Sequence, residues 1–159
     1  MRDHRFVAEH RGGPLALSRH RLLAAWAADC AEHALESIGP AAGDPRVEEA
    51  IAAARAWARG EIPVGEAREA SLAAHAAARD AGTQAAAAAA RAAGHAVATA
   101  HMADHALRAA AYARKAVGAD RGNVVAELAW QRTRLPAGIR DLVAGDEPAR
   151  SGGRVRPMP

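Results

Sequence analysis

Between Gln84 and Val117 the chain runs thirty-four residues with no proline and a single glycine, Gly94, and eighteen of those residues are alanine. Alanine is the strongest helix former, and proline and glycine are the residues that stop a helix, so local preference makes this whole stretch helical. One helix of that length would be far longer than the average of about a dozen residues, which predicts a bend. We expect it near His101 to Ala103, between helices over 84–100 and 103–117. The same bias extends through the chain. Of 80 apolar residues among 159, 48 are alanine, only 13 are Val or Ile, and aromatics make up 3%. A sheet would lack its usual β-branched and aromatic material. The expected fold is therefore all-α, a single compact domain of about six or seven helices, long enough to bury a core without disulfides.

Punctuation marks the remaining elements. Residues 1–14, with three Arg, two His and the Gly12-Gly13-Pro14 break, read as an extended or loosely packed arm in which Phe6 and Val7 could tuck against the body. Ser18 is placed to cap a helix ending at Ile38 before Gly39-Pro40, with Leu22, Leu23, Trp26, Cys30, Ala34 and Ile38 along one face. Asp44-Pro45 starts a second helix that turns Val47, Ile51, Ala54 and Ala58 inward and stops at Gly60. A third runs from Val64 to Gly82 with Ala67, Leu72 and His75 along its length, and Thr83 caps the long alanine stretch. A further helix after Asn123 is expected to anchor through Val124, Val125, Leu128, Ala129 and Trp130, and Pro136 seeds a last turn with Ile139, Leu142 and Val143. The helical domain spans 15–144, and residues 145–159, rich in Gly and Pro, read as a disordered tail.

Charge narrows the choice of partners. The net charge is +3, but Arg150, Arg154 and Arg156 lie in the tail, so residues 1–149 balance 18 bases against 18 acids. Residues 29–80 carry five bases and ten acids. Along the sequence the arginines of the body are interspersed with acids and form no basic stripe with aromatics, which argues against nucleic acid as a partner. No window approaches the roughly 20 apolar residues of a membrane span, and the N-terminus has no apolar leader, so we expect a cytoplasmic protein without membrane attachment. One cysteine, Cys30, excludes an intrachain disulfide.

The densest polar cluster is His95, Thr99, His101, Asp104 and His105, set in alanine. On a continuous helix His101 and His105 share a face with Asp104 alongside, and an i, i+4 histidine pair can bind zinc, with Cys30 and His33 as conceivable further ligands. The glutamate that makes such a pair catalytic is missing, because position 102 is Met. The plainer reading makes these histidines helix-contact residues bonded to neighbouring helices. No GxSxG elbow accompanies the serines, and the Gly12-Gly13 and Gly152-Gly153 pairs lack the context of a phosphate loop. No catalytic residue, metal ligand set or cofactor is assigned. Glu32 and Glu36 head an acidic series that is either a partner face or a solvated surface paired with Arg46, Arg55, Arg59 and Arg68.

Four segments go further: ARAWARGEI (54–62), EAREASLAAHAAARDAG (66–82), ARAAGHAVATAHMADHALRAAAYARKAV (90–117) and AELAWQRTRLPAGIRDLV (126–143). Together the chain over about 4–144 resembles a family of small bacterial immunity proteins, which protect a cell from a cognate toxin of a polymorphic toxin system. The features that carry the likeness are the Trp57-centred helix, His75 to Arg79, Gly94-His95, Ala100-His101, His105-Ala106, Trp130-Gln131 and Leu135-Pro136. The resemblance implies an all-helical, non-enzymatic protein without a cofactor that binds and blocks a protein toxin. Its binding residues would come from His75, His95, His101, Asp104 and His105, or from Glu32 and Glu36. The alternative is a histidine-based metal-binding protein or metalloenzyme using His101 and His105. A third, weaker reading is binding of anionic polymers through the arginine tail. The neutral body argues against a nuclease as the target, since inhibitors of nucleases tend to be strongly acidic.

Overall fold

The computed structural model describes residues 2–39 and 43–144. Seven helices follow in chain order: α1 (Leu17–Ile38), α2 (Pro45–Ala58), α3 (Val64–Asp80), α4 (Gln84–Ala98), α5 (His105–Ala119), α6 (Val124–Thr133) and α7 (Arg140–Ala144). There is no strand among the described residues. The expected stops at Pro40, the tail over 145–159 and the Gly152-Gly153 pair fall outside them.

Three of the seven helix starts follow local chemistry. The side chains of Asp44, Thr83 and Asn123 accept hydrogen bonds from the amides of Arg46, Ala86 and Ala126, and each such cap is worth about 1 kcal/mol. Gly60, at φ +76°, closes α2 in the left-handed conformation that glycine adopts without a steric penalty. Ser18 is not a cap. α1 begins one residue earlier, behind Ala16, and no side chain satisfies its first amides.

α4 is the central helix. It packs against α1, α2, α3 and α5, while α6 leans chiefly on α5 and the C-terminal turn on α1. Alanine makes this possible, because small side chains let helix axes approach closely on several sides at once. Ala88, Ala89, Ala92, Ala93, Ala96 and Val97 of α4 are all buried, and the larger anchors Trp26, Leu23, Leu15 and Phe6 close the core around them. The segment expected to be a loose arm is folded: two short 3-10 turns, His4–Phe6 and Glu9–Arg11, hold Phe6 at 0% exposure.

Two helix faces differ from the pattern read in the sequence. On α3 the buried side chains are Ala67, Ser71, Ala74, Ala77 and Ala78, whereas Leu72 is 71% exposed. Ser71 fits inside because its hydroxyl donates to the carbonyl of Gly94, 3.0 Å away. On α6 the polarity is inverted. Val125 is 77% exposed and Val124 also faces solvent, while Glu127 and Gln131 are buried. The inward polar groups are satisfied: His33 donates from Nδ1 to both carboxylate oxygens of Glu127 at 2.9 Å, and the Gln131 amide donates to the Ala110 carbonyl at 3.0 Å. Arg114 donates to Oε1 of Gln131 at 2.8 Å, and the Trp26 indole donates to the Gln131 carbonyl at 2.9 Å. Hydrogen bonds to α1 and α5, together with Trp130 stacked on His33, therefore set the orientation of α6, and Val124 and Val125 have little part in it.

The bend in the long alanine stretch lies at 99–104, close to the expected place. In an unbroken helix the Thr99 carbonyl would accept from the amide of residue 103. Here it accepts instead from Nε2 of His20 on α1, and the amides of His101 and Met102 both turn back to Ala98. A side chain from another helix has taken the acceptor that would have carried α4 onward.

Candidate functional site: an imidazole face at the α4–α5 bend

Three helices bring four histidines together at this bend. α3 supplies His75, α4 supplies His95, the bend supplies His101, and α5 begins with His105. Gly94 makes the approach of α3 to α4 possible: a Cβ at that position would lie 2.8 Å from both Cε1 and Nε2 of His75. Arg91 then donates to His75 Nδ1 at 2.7 Å, which leaves the proton of a neutral His75 on Nε2. The His95 ring meets His75 edge-on at 5.0 Å and stacks between His105, at 5.1 Å, and Tyr112, at 5.2 Å. His101 lies 5.4 Å from His105.

The facing Nδ1 atoms of His95 and His105 are 2.9 Å apart, so one donates and the other accepts, and the two nitrogens hold one proton between them. Burial disfavours the charged form throughout the cluster. It holds His95 down to about 3 and His105 down to about 4, and lowers His75, His101 and the nearby His20. For His95 the charges of His105, His75, Arg108 and Arg91 act in the same direction, whereas Asp104 partly opposes the shift at His105. Imidazoles this acidic are weak bases at neutral pH, so the arrangement suits a binding surface better than proton transfer.

The expected residues separate into two places. His75, His95, His101 and His105 form one contiguous patch with Asp104 at its edge. Glu32 and Glu36 lie toward the far end of α1, lining with Leu35, Gly39, Gly43, Glu48 and Ile51 an open cleft of about 420 Å³ between α1 and α2. Ion pairs occupy part of that acidic segment: Arg55 bonds Asp29 at 2.8 Å and Glu32 at 2.9 Å, Arg46 bonds Asp44 and Asp80, and Arg59 bonds Glu61, whereas Arg68, also expected to pair, holds no carboxylate among the described residues.

The helical i, i+4 relation expected of His101 and His105 does not hold, because α4 has ended before His101. Nor can Cys30 and His33 join them as metal ligands. His20 marks the point on α1 nearest the bend, and His33 lies thirteen residues farther along, about 20 Å at the helical rise. His33 is engaged elsewhere, stacked at 3.6 Å on Trp130 and bonded to Glu127, and burial pushes the Cys30 thiol well up. Among the described residues no three His, Cys, Asp or Glu side chains are grouped to hold a metal ion.

The groups that frame the patch carry no signal in the sequence. His20 fixes the bend, and Tyr112 and Arg91 clamp the rings. Arg68, Arg79, Arg91 and Arg108 come from three helices, and Arg2 and Arg11 from the N-terminal turns; all lie close enough to act on the charge of these histidines. Dispersed in sequence, they act on one cluster of histidines. A repeating contact pattern linking positions 75, 95, 101, 105 and 112 could have shown the cluster, but alanine on every side of α3, α4 and α5 hides which face turns where.

The fold and site together define a small all-α domain that presents rigid, partly exposed surfaces, with its larger clefts open to solvent. Over residues 13–138 the chain matches the family of Imm-5 like putative immunity proteins, and it belongs to that family. No curated protein and no solved structure matches it. Among the described residues no helix is long and apolar enough to cross a membrane.

Proposed function

We propose that this chain is a non-enzymatic, cytoplasmic immunity protein that binds a cognate toxin and neutralises it by covering its working surface, the helical body over 15–144 acting as the inhibitor. Family membership over 13–138 is the observation that carries this reading. The proposed contact residues are His75, His95, His101, Asp104 and His105 on the imidazole face, with Glu32 and Glu36 at the acidic cleft as the second surface. The face supports binding in physical terms. His75, His95 and His105 are held by ring contacts and by hydrogen bonds of 2.7 and 2.9 Å, so little of their rotamer entropy remains to be lost on association. Histidine, arginine and tyrosine present flat, amphipathic groups of the kind that anchor protein interfaces.

The test is co-expression with each toxin encoded beside this chain in its host. Protection from one of them, together with a purified complex of the two proteins, is the expected result. Absence of both protection and binding for every such toxin would overturn the reading.

A further inference from the structure

The six arginines around the imidazole patch come from positions 2, 11, 68, 79, 91 and 108 and have no carboxylate partner among the described residues. Elsewhere Arg5, Arg19, Arg46, Arg55 and Arg59 each hold a carboxylate at 3.0 Å or less, and Arg134 lies over the Trp130 ring. Arg2, Arg11, Arg68, Arg79 and Arg108 are exposed, and Arg91 is half-buried against His75. One acid, Asp104, stands beside them in acting on the histidines. Along α3, α4 and α5, Arg68 and Arg79, Arg91, and Arg108 stand at helical spacings of three, four or seven from His75, His95 and His105, whereas Glu32, Glu36 and Glu48 line the cleft between α1 and α2.

We infer that the imidazole–arginine face is the surface that receives the toxin, and that its occupant there is a carboxylate-rich protein segment. The identity of the occupant as a toxin rests on the immunity reading; the chemistry of the face does not. Guanidinium groups without carboxylate partners at the edge of a rigid aromatic patch offer bidentate hydrogen bonds to carboxylates. Nucleic acid fits less well. The rings stack on one another, so no row of open faces is left for successive bases, and a long polyanion leaving the patch would meet the acidic side of the same small domain.

The experiment titrates the full chain, labelled for NMR at histidine Cε1 and backbone amides, with octa-L-glutamate. Octa-L-lysine and a deoxythymidine octamer serve as comparisons, all at low salt. Octa-L-glutamate should shift the resonances of His75, His101 and His105, and its binding should weaken steeply as salt rises. Arg68→Glu with Arg108→Glu should lower the association constant about tenfold or more, since both side chains are exposed and their replacement leaves the core intact. The neutral pair Arg68→Gln and Arg108→Gln should fall in between, and Val125→Ser, at an exposed position of α6, should leave binding unchanged. Shifts confined to other surfaces, no response to octa-L-glutamate, or tighter binding of the deoxythymidine octamer would overturn the inference, the last in favour of nucleic acid. The protection assay separates the two claims. If wild type protects and the Arg68→Glu, Arg108→Glu chain protects equally well, this surface is the wrong one while the immunity reading stands. If wild type never protects although octa-L-glutamate binds at the patch, the immunity reading fails and the chemistry of the face stands.

Discussion

Replacing Gln131 by leucine tests whether α6 is held by its buried amide. Gln131 is 1% exposed, and its side chain donates to the Ala110 carbonyl at 3.0 Å and accepts from Arg114 at 2.8 Å. Leucine keeps the approximate volume and removes both bonds. A neutral hydrogen bond contributes about 1 kcal/mol and one to a charged partner about 1.5–3 kcal/mol. Burying leucine instead of an amide returns roughly 1 kcal/mol. The expected loss is about 2 kcal/mol, or a fall in Tm of roughly 4–8 °C for a domain of this size. Urea unfolding followed by far-UV circular dichroism reads the difference as a lower midpoint at unchanged slope. Val125→Ser is the companion variant. At 77% exposure Val125 anchors nothing within the domain, and its replacement should change stability by less than about 0.5 kcal/mol. If Gln131→Leu unfolds within about 0.5 kcal/mol of wild type while Val125→Ser loses more, α6 is held by its apolar residues and the inverted polarity argued above is wrong.

Gly94→Ala places a methyl 2.8 Å from two atoms of the His75 ring, so the ring must turn and release Arg91; a cost of about 1–3 kcal/mol and a displaced His75 resonance are expected, and an unmoved resonance would contradict the close approach. Ala98→Leu, on the buried side of α4, should overpack the core by a similar 1–3 kcal/mol, and a thermal midpoint equal to wild type would show that this position has room to spare. Acid should destabilise the fold through the imidazole cluster. His95 and His105 titrate near 3 and 4 when folded but near the ordinary 6.5 when unfolded, so below pH 6.5 the unfolded chain takes up protons that the folded chain refuses. Their contribution is complete above pH 6.5 and is lost progressively toward pH 4 and 3; a urea midpoint that does not move between pH 7 and pH 4.5 would refute this. Cys30, fully buried with its thiol pushed up, should react with a thiol reagent only on unfolding, and rapid labelling of the native chain would show that α1 opens.

The sequence by itself determined the helices and most of their ends. Asp44, Thr83 and Asn123 cap where their side chains reach a free amide two or three residues on, and Gly60 stops α2 through its own backbone; these are local interactions, readable from neighbours in the chain. Even the bend fell near its expected place, since a long alanine helix has to break somewhere. The tertiary structure decided everything that depends on facing. Alanine is equally acceptable inside and outside, so α3, α4 and α5 carry little periodicity to show which side is buried, and on α3 the small polar Ser71 turns inward while Leu72 faces solvent. Glu127 and Gln131 look like surface residues until His33, Arg114 and Trp26 arrive from other helices to satisfy them. The break after Ala98 takes its form from His20, seventy-nine positions away from Thr99, because a carbonyl occupied by a distant ring is no longer available to its own helix. Four histidines from positions 75 to 105 meet with Arg91 and Tyr112 for the same reason: the packing of helices that come together only in three dimensions put them there.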